Sequence, residues 1–253
     1  VFDRQSVAGL EAGVGRFVQT FRTVARARGQ LGLEVGSTPN QIFALAIESS
    51  NPSAADGPLS NGPGVALAEV SHKAGTWVIV GEIAIEPLRI GSGREDDLMS
   101  AVDRLSKRVG MIPKQIGLVA VSVGPGGFTA LRVAVTVGNS IAFATGAACV
   151  RVPSAQVAAR RVHSAGRFAV ALASKGDTTF ATVFGPDWQS APGAKRPVGK
   201  LVRAADVAAL DVGLIVADKF LPAPIREAAE KEGVRVVAPE FDAGACLELG
   251  CSI

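Results

Sequence analysis

At 253 residues and 25.8 kDa, with 48% hydrophobic and 19% charged residues, the chain can build one large domain or two compact halves, and its composition excludes general disorder. A formal net charge of +3, from 26 basic and 23 acidic side chains spread along the chain, permits nucleic acid as a partner without indicating it. Cys149, Cys246 and Cys251 form no Cys-x-x-Cys pair, no run reaches the roughly 20 apolar residues of a membrane span, and no apolar signal core opens the chain. These features lead us to expect a cytoplasmic protein with reduced thiols and no membrane.

Residues 1–41 form a first unit, in which Leu10, Val14, Phe17, Phe21 and Val24 recur at helical spacing with arginines between them. From Gln41 the pattern becomes β-rich. Ile42 to Ile47, Val65 to Val70 and Trp77 to Ile85 read as three sequential antiparallel strands, with a long Pro- and Gly-rich loop, 51–64, between the first two. A helix follows: Glu95, Asp96 and Asp97 load its first turn, Leu98, Val102, Leu105 and Val109 form its stripe, and Lys107 and Arg108 sit near its end.

Ile116 to Val123 is a buried strand, and a Gly-Pro-Gly-Gly turn joins it to a long helix from Phe128 to Thr145. The remainder alternates again. Strands are expected near 149–152, 168–173, 179–184, 214–217 and 234–237, and helices near 155–162 and 225–231. We therefore expect a first lobe over 42–148 and a smaller α/β lobe over 149–253.

The segment Val121 to Arg132 carries the sharpest signal. Its glycines allow a tight turn after a buried strand, and the amides that open the next helix suit an anion, so Gly124, Pro125, Gly126, Gly127 and Thr129 are phosphate-turn candidates. It is no Walker loop, since no Gly-Lys-Ser/Thr follows, and it lacks dinucleotide-fingerprint spacing.

Gly124-Pro-Gly-Gly-Phe-Thr-Ala-Leu-Arg132 resembles the Gly-Pro-Gly-Ser-Phe-Thr-Gly-Leu-Arg signature of the TsaB (YeaZ) family. Ala44-Leu-Ala-Ile-Glu-Ser-Ser50 is similar to that family's opening strand, and Ala171-Leu-Ala-Ser-Lys-Gly-Asp177, more loosely, to its Asp-Ala-Arg segment. The resemblance runs over about residues 42–240. It implies a two-lobed actin-like ATPase (ribonuclease-H-like) fold, α/β, with mixed sheets flanked by helices. It also implies a non-catalytic role beside a homologous catalytic subunit, TsaD, which with the ATPase TsaE threonylcarbamoylates adenosine 37 of tRNA. Any ATP or ADP would then belong to the assembled complex. The chain departs from the family pattern at Glu48, Arg94, Gly127, Ala130, Asn139, Leu172 and Ser174, which bears on nucleotide and metal binding more than on the fold.

An independent kinase or nucleotide hydrolase of the same fold is the competing expectation, using Glu48 with Asp56 or Asp177. It is weakened by the lack of a second phosphate turn in the C-terminal half. His72 and His163 are far apart with no histidine neighbour, so no metal site is expected; neither is a Gly-x-Ser-x-Gly hydrolase elbow present. The 128–145 helix points instead to a partner. Apart from a narrow polar stripe of Thr129, Arg132, Thr136 and Asn139 it is apolar, which demands packing on two sides. The expected interface is Leu98, Val102, Leu105, Leu131, Val135, Gly138 and Ala142, facing TsaD or a second copy of the chain. The competing expectation is that the 98–109 helix of the same chain covers that side.

Overall fold

The computed structural model describes residues 41–51, 63–88, 97–186, 188–189 and 197–253. The helix expected within 1–41, the loop residues 52–62, Asp56, Arg94, Glu95 and Asp96 lie outside the described residues.

The first sheet holds β1 (Ile42–Glu48), β2 (Gly64–Lys73), β3 (Thr76–Ile79), β4 (Ala84–Pro87), β5 (Ile116–Ser122) and β6 (Ala148–Val152), in the order β3-β2-β1-β5-β6 with β4 also on β2. β1, β2 and β3 form an antiparallel meander, while β5 and β6 continue parallel to β1. One expectation needs correction: Trp77 to Ile85 is two strands. The amides of Val80 and Gly81 both converge on the Glu69 carbonyl, at 3.0 and 3.4 Å, so two residues oppose one and the ladder breaks. β3 then pairs with Val70 to Lys73 and β4 with Gly64 to Leu67.

The second sheet repeats this plan. β7 (Phe168–Lys175), β8 (Thr178–Phe184) and β9 (Gly199–Val202) form an antiparallel meander, and β10 (Leu214–Ala217) and β11 (Arg235–Val237) lie parallel on its other side, giving β11-β10-β7-β8-β9. β9 is not among the strands expected from sequence, because four residues that open on glycine show no strand period.

Helices α1 (Asp97–Val109), α2 (Phe128–Thr145), α3 (Ser154–Arg160), α4 (Ala223–Lys231) and α5 (Ala243–Cys251) complete a layered body. The strand period of two assigns each face. Leu45, Ile47, Val119 and Val121 point at α1 and α2, whereas Ala44, Ala46, Leu118 and Ala120 point at α3, α5 and the second sheet's Phe168, Val170 and Phe184. Ala169, Ala171 and Ile215 on the far face of the second sheet pack under Ile225 and Ala229 of α4 and the 3₁₀-turn residues Val207 and Leu210. The order is helices, sheet, helices, sheet, helix.

Helix α5 was not expected from sequence. It is made largely of small residues, buried through Ala243, Gly244, Ala245, Cys246, Leu247, Gly250 and Cys251, and it lies across β1, β2 and β5 of the first sheet. The expected lobe boundary at 148/149 also falls inside β6, which is hydrogen-bonded to β5. The C-terminal helix packs in a cluster that the first sheet shares with Phe168, Val170 and Phe184 of the second.

Candidate functional site

Three segments converge beyond the carboxyl ends of the strands: residues 48–51 after β1, the glycine turn after β5, and Asp218 after β10. Loops at strand ends in such α/β sheets are where side chains are free to do something other than pack.

The glycine turn is clamped from both sides. Gly124 has φ +102°, a region that suits glycine; its amide donates to Ser154 Oγ at 2.9 Å and its carbonyl accepts from Ser154 N at 2.9 Å. Ser154 Oγ in turn lies 2.9 Å from Ser122 Oγ. On the other side Gly127 N donates to the Ser50 carbonyl at 2.7 Å, and a Cβ on Gly126 would lie 2.1 Å from that same oxygen. Of the phosphate-turn candidates, Gly124 and Gly127 therefore spend their amides inside the protein, and Gly126 is there because backbone passes against backbone. Pro125 has no amide hydrogen to give, and Thr129 is exposed on the first turn of α2.

Glu48 is fully buried at the end of β1. Its Oε1 accepts from Ser50 N at 2.7 Å and from Ser50 Oγ at 2.5 Å; Oε2 has no hydrogen-bond partner among the described residues. Burial lifts its pKa to about 7, opposed by the Ser50 hydrogen bonds and the Ser122 hydroxyl, with nearby Asp242 adding a smaller rise. The neutral acid is the form that suits such a site. Asp177, its proposed catalytic companion, sits in the exposed turn between β7 and β8 with Arg203 at 3.4 Å.

Two residues that sequence reasoning missed join the halves. Asn51 Nδ2 donates to Asp218 Oδ2 at 3.0 Å, both side chains are buried, and Phe220 N holds the other Asp218 oxygen at 2.9 Å. No local pattern announces a pair 167 positions apart. His72 stacks on Trp77 with ring centroids 4.4 Å apart, His163 is exposed, and no cluster of three or more metal-ligating side chains occurs among the described residues.

The interface candidates divide. Leu98, Val102 and Leu105 are buried under α1, and Gly138 and Ala142 face the first sheet, where a Cβ on Gly138 would lie 2.4 Å from Val121 Cγ2. These five are occupied by the chain's own core, because the apolar stripe of each helix turns toward the sheet. Leu131 and Val135 remain partly exposed. Neither helix is covered by the other on its outer side: α1 lies over β2 and β4, α2 over β5.

The outer face of α2 is unusual. The helix is long and apolar enough by length and composition to cross a membrane, yet only 28% of it is buried in the protein. Phe128 is 66% exposed and Phe143 94%, flanking Arg132, Thr136 and Asn139 along one side, with the Arg132 guanidinium 3.8 Å above the Phe128 ring. The two phenylalanines belong to that face and were not among the expected interface residues.

Comparison with known proteins agrees with this architecture. The family model described as "TsaD: tRNA N6-adenosine threonylcarbamoyltransferase" matches residues 87–186, from β4 through β8. No curated protein matches by sequence. Among solved structures, YeaZ from Pseudomonas aeruginosa superposes with a TM-score of 0.55 at 18% identity, over 83% of this chain and 90% of that one. A second structure, described as an uncharacterized protein with similarity to peptidase YEAZ from Pseudomonas aeruginosa, gives 0.55 at 16% identity over 82% and 89%. Two sheets of like topology, each flanked by helices, define the actin-like ATPase fold. The chain is similar to YeaZ in fold, and its residues 87–186 match the TsaD family model.

Proposed function

We propose that the chain is a cytoplasmic, non-catalytic subunit of the machinery that places a threonylcarbamoyl group on adenosine 37 of tRNA, docking a TsaD-like catalytic subunit through the outer face of α2. The observation that carries this reading is the exposed apolar helix: two phenylalanines in water along a helix otherwise built for packing are a cost unless something covers them. Each large aromatic buries 150–250 Å² when covered, so the pair supplies a useful share of a modest interface. The TsaE-like ATPase and tRNA would then meet this chain only within the complex. A second copy of the chain on the same face would be the resting homodimer.

The reading of the site as non-catalytic is supported by the same residues that drew attention to it. The Gly124 and Gly127 amides already have partners, and the first-strand carboxyl is sealed from solvent and favours its proton. The test is reconstitution. TsaD-like and TsaE-like subunits from the same genome, with tRNA, ATP, threonine and the enzyme that makes the adenylate, should modify adenosine 37 only when this chain is added. The chain alone should leave ATP intact; turnover by the isolated chain would overturn the assignment in favour of an independent kinase or nucleotide hydrolase.

A further inference from the structure

We propose that Glu48 is a proton-operated catch on the C-terminal helix: protonated, it lets the first turn of α5 lie against β1, and ionised, it drives that turn away from the sheet.

The geometry is that of a carboxyl enclosed by elements of both halves. Glu48 ends β1, is opposite Gly64 of β2, and has Oε2 without a partner among the described residues. Around it, β5 brings Ser122, whose hydroxyl lies 2.9 Å from that of Ser154 and favours the ionised form of Glu48, and α5 brings Asp242 and Cys246, which disfavour it, the latter with Sγ 3.8 Å from the Ile47 carbonyl. Burial and the two neighbouring carboxyls hold the Cys246 thiol well above its usual range, so it stays neutral. Asp242 caps α5, accepting from Ala245 N at 2.6 Å, and is held by Arg161, whose Nη2 lies 3.1 Å from Oδ1. Arg161 also reaches Glu248 at 3.4 Å. The nearby guanidinium is thus already shared between two carboxylates. A charge on Glu48 would be fully buried beside Asp242, whose guanidinium partner is already shared, and that repulsion is relieved by moving one of the two carboxylates. Asp242 sits at the helix end, where fraying is easiest, so α5 is what moves. Because α5 lies between the two sheets, its release loosens the junction beside the glycine turn.

The sign follows from linkage. The closed form keeps the proton up to about pH 7, while an open, hydrated Glu48 loses it near its ordinary value of 4.5. Closure is fully favoured below that lower value and weakens as pH rises. The opening constant should therefore climb about tenfold per pH unit between about pH 5 and 7, then level off. Hydrogen exchange of the amides in α5, read by mass spectrometry on the full chain and corrected for intrinsic rates, measures this directly. Wild type should show the climb and the plateau. Glu48→Gln should be flat across the range, and Asp242→Asn, which keeps a capping oxygen and removes the charge, should bring the plateau to lower pH. A flat wild-type profile, or an unchanged slope in Glu48→Gln, overturns the proposal. Should Glu48→Gln fail to fold, the side-chain carboxyl carbon of Glu48 is followed by NMR in wild type: a midpoint near 7 supports the catch and one near 4.5 removes it. Neither readout depends on tRNA modification, so the catch and the proposed function stand or fall separately.

Discussion

Ala173 shows how a single residue can be legible in sequence yet misread in conformation. It interrupts β7 with φ +54°, a left-handed value that costs an alanine about 1–2 kcal/mol, and the pairing register shifts there between Leu172 and Lys175. Ser174 and Thr179 brace the bulge with a hydroxyl pair at 3.0 Å. Ala173→Gly should thus raise stability by about 0.5–1 kcal/mol, since relief of strain exceeds the extra backbone entropy, and thermal unfolding will show it as a higher midpoint. The opposite holds at Gly126, where a methyl would lie 2.1 Å from the Ser50 carbonyl. Gly126→Ala should cost about 2 kcal/mol or more, measured by urea unfolding, because backbone rather than a flexible side chain must yield. Sequence marked Gly126 as an anion contact. The structural need it meets is closeness to residues 48–51, which no local pattern reveals.

Among the elements, those with their own punctuation were legible. α2 begins after Gly127 and ends at Gly146 with φ +75°, the bounds its glycines announce. α1 was found from its stripe and its charge bias, since Asp97 opens it and Lys107 and Arg108 close it. The failures have equally local causes. Trp77 to Ile85 is apolar except for Gly81 and Glu82 but carries a bulge at Val80 and Gly81, and periodicity does not register a bulge. α5 shows no amphipathic period because nearly every side of it is buried, and its two glycines argue against a helix. Its one sequence signal is the Asp242 cap. Asp242→Ala should destabilise the protein by about 1–3 kcal/mol in chemical denaturation, through loss of the cap and of the Arg161 partner, far more than substitution of the exposed Asp177.

At the scale of the whole molecule, the repeat of meander plus two parallel strands in both halves was expressed by sequence as an order of elements, without a matching residue repeat. The long-range ties were invisible: Asn51 to Asp218, Arg160 and Arg161 to Glu248, and the insertion of a C-terminal helix beneath the first sheet. Removing residues 243–253 should uncover Ala44, Ala46, Leu118 and Ala120 along with Phe168 and Val170 of the second sheet, so the truncated chain should lose cooperative unfolding in both halves, not the second alone. Among the described residues the outer side of α2 leaves Phe128 and Phe143 exposed, and the account of function rests there. Its most direct test is calorimetric titration of the purified chain against the TsaD-like subunit of the same genome, beside a Phe128→Asp, Phe143→Asp double variant whose thermal midpoint is checked first. The account predicts that the variant folds as well as wild type and binds at least about 100-fold more weakly, the loss expected for removing two apolar anchors. Equal affinity from the folded variant would contradict it.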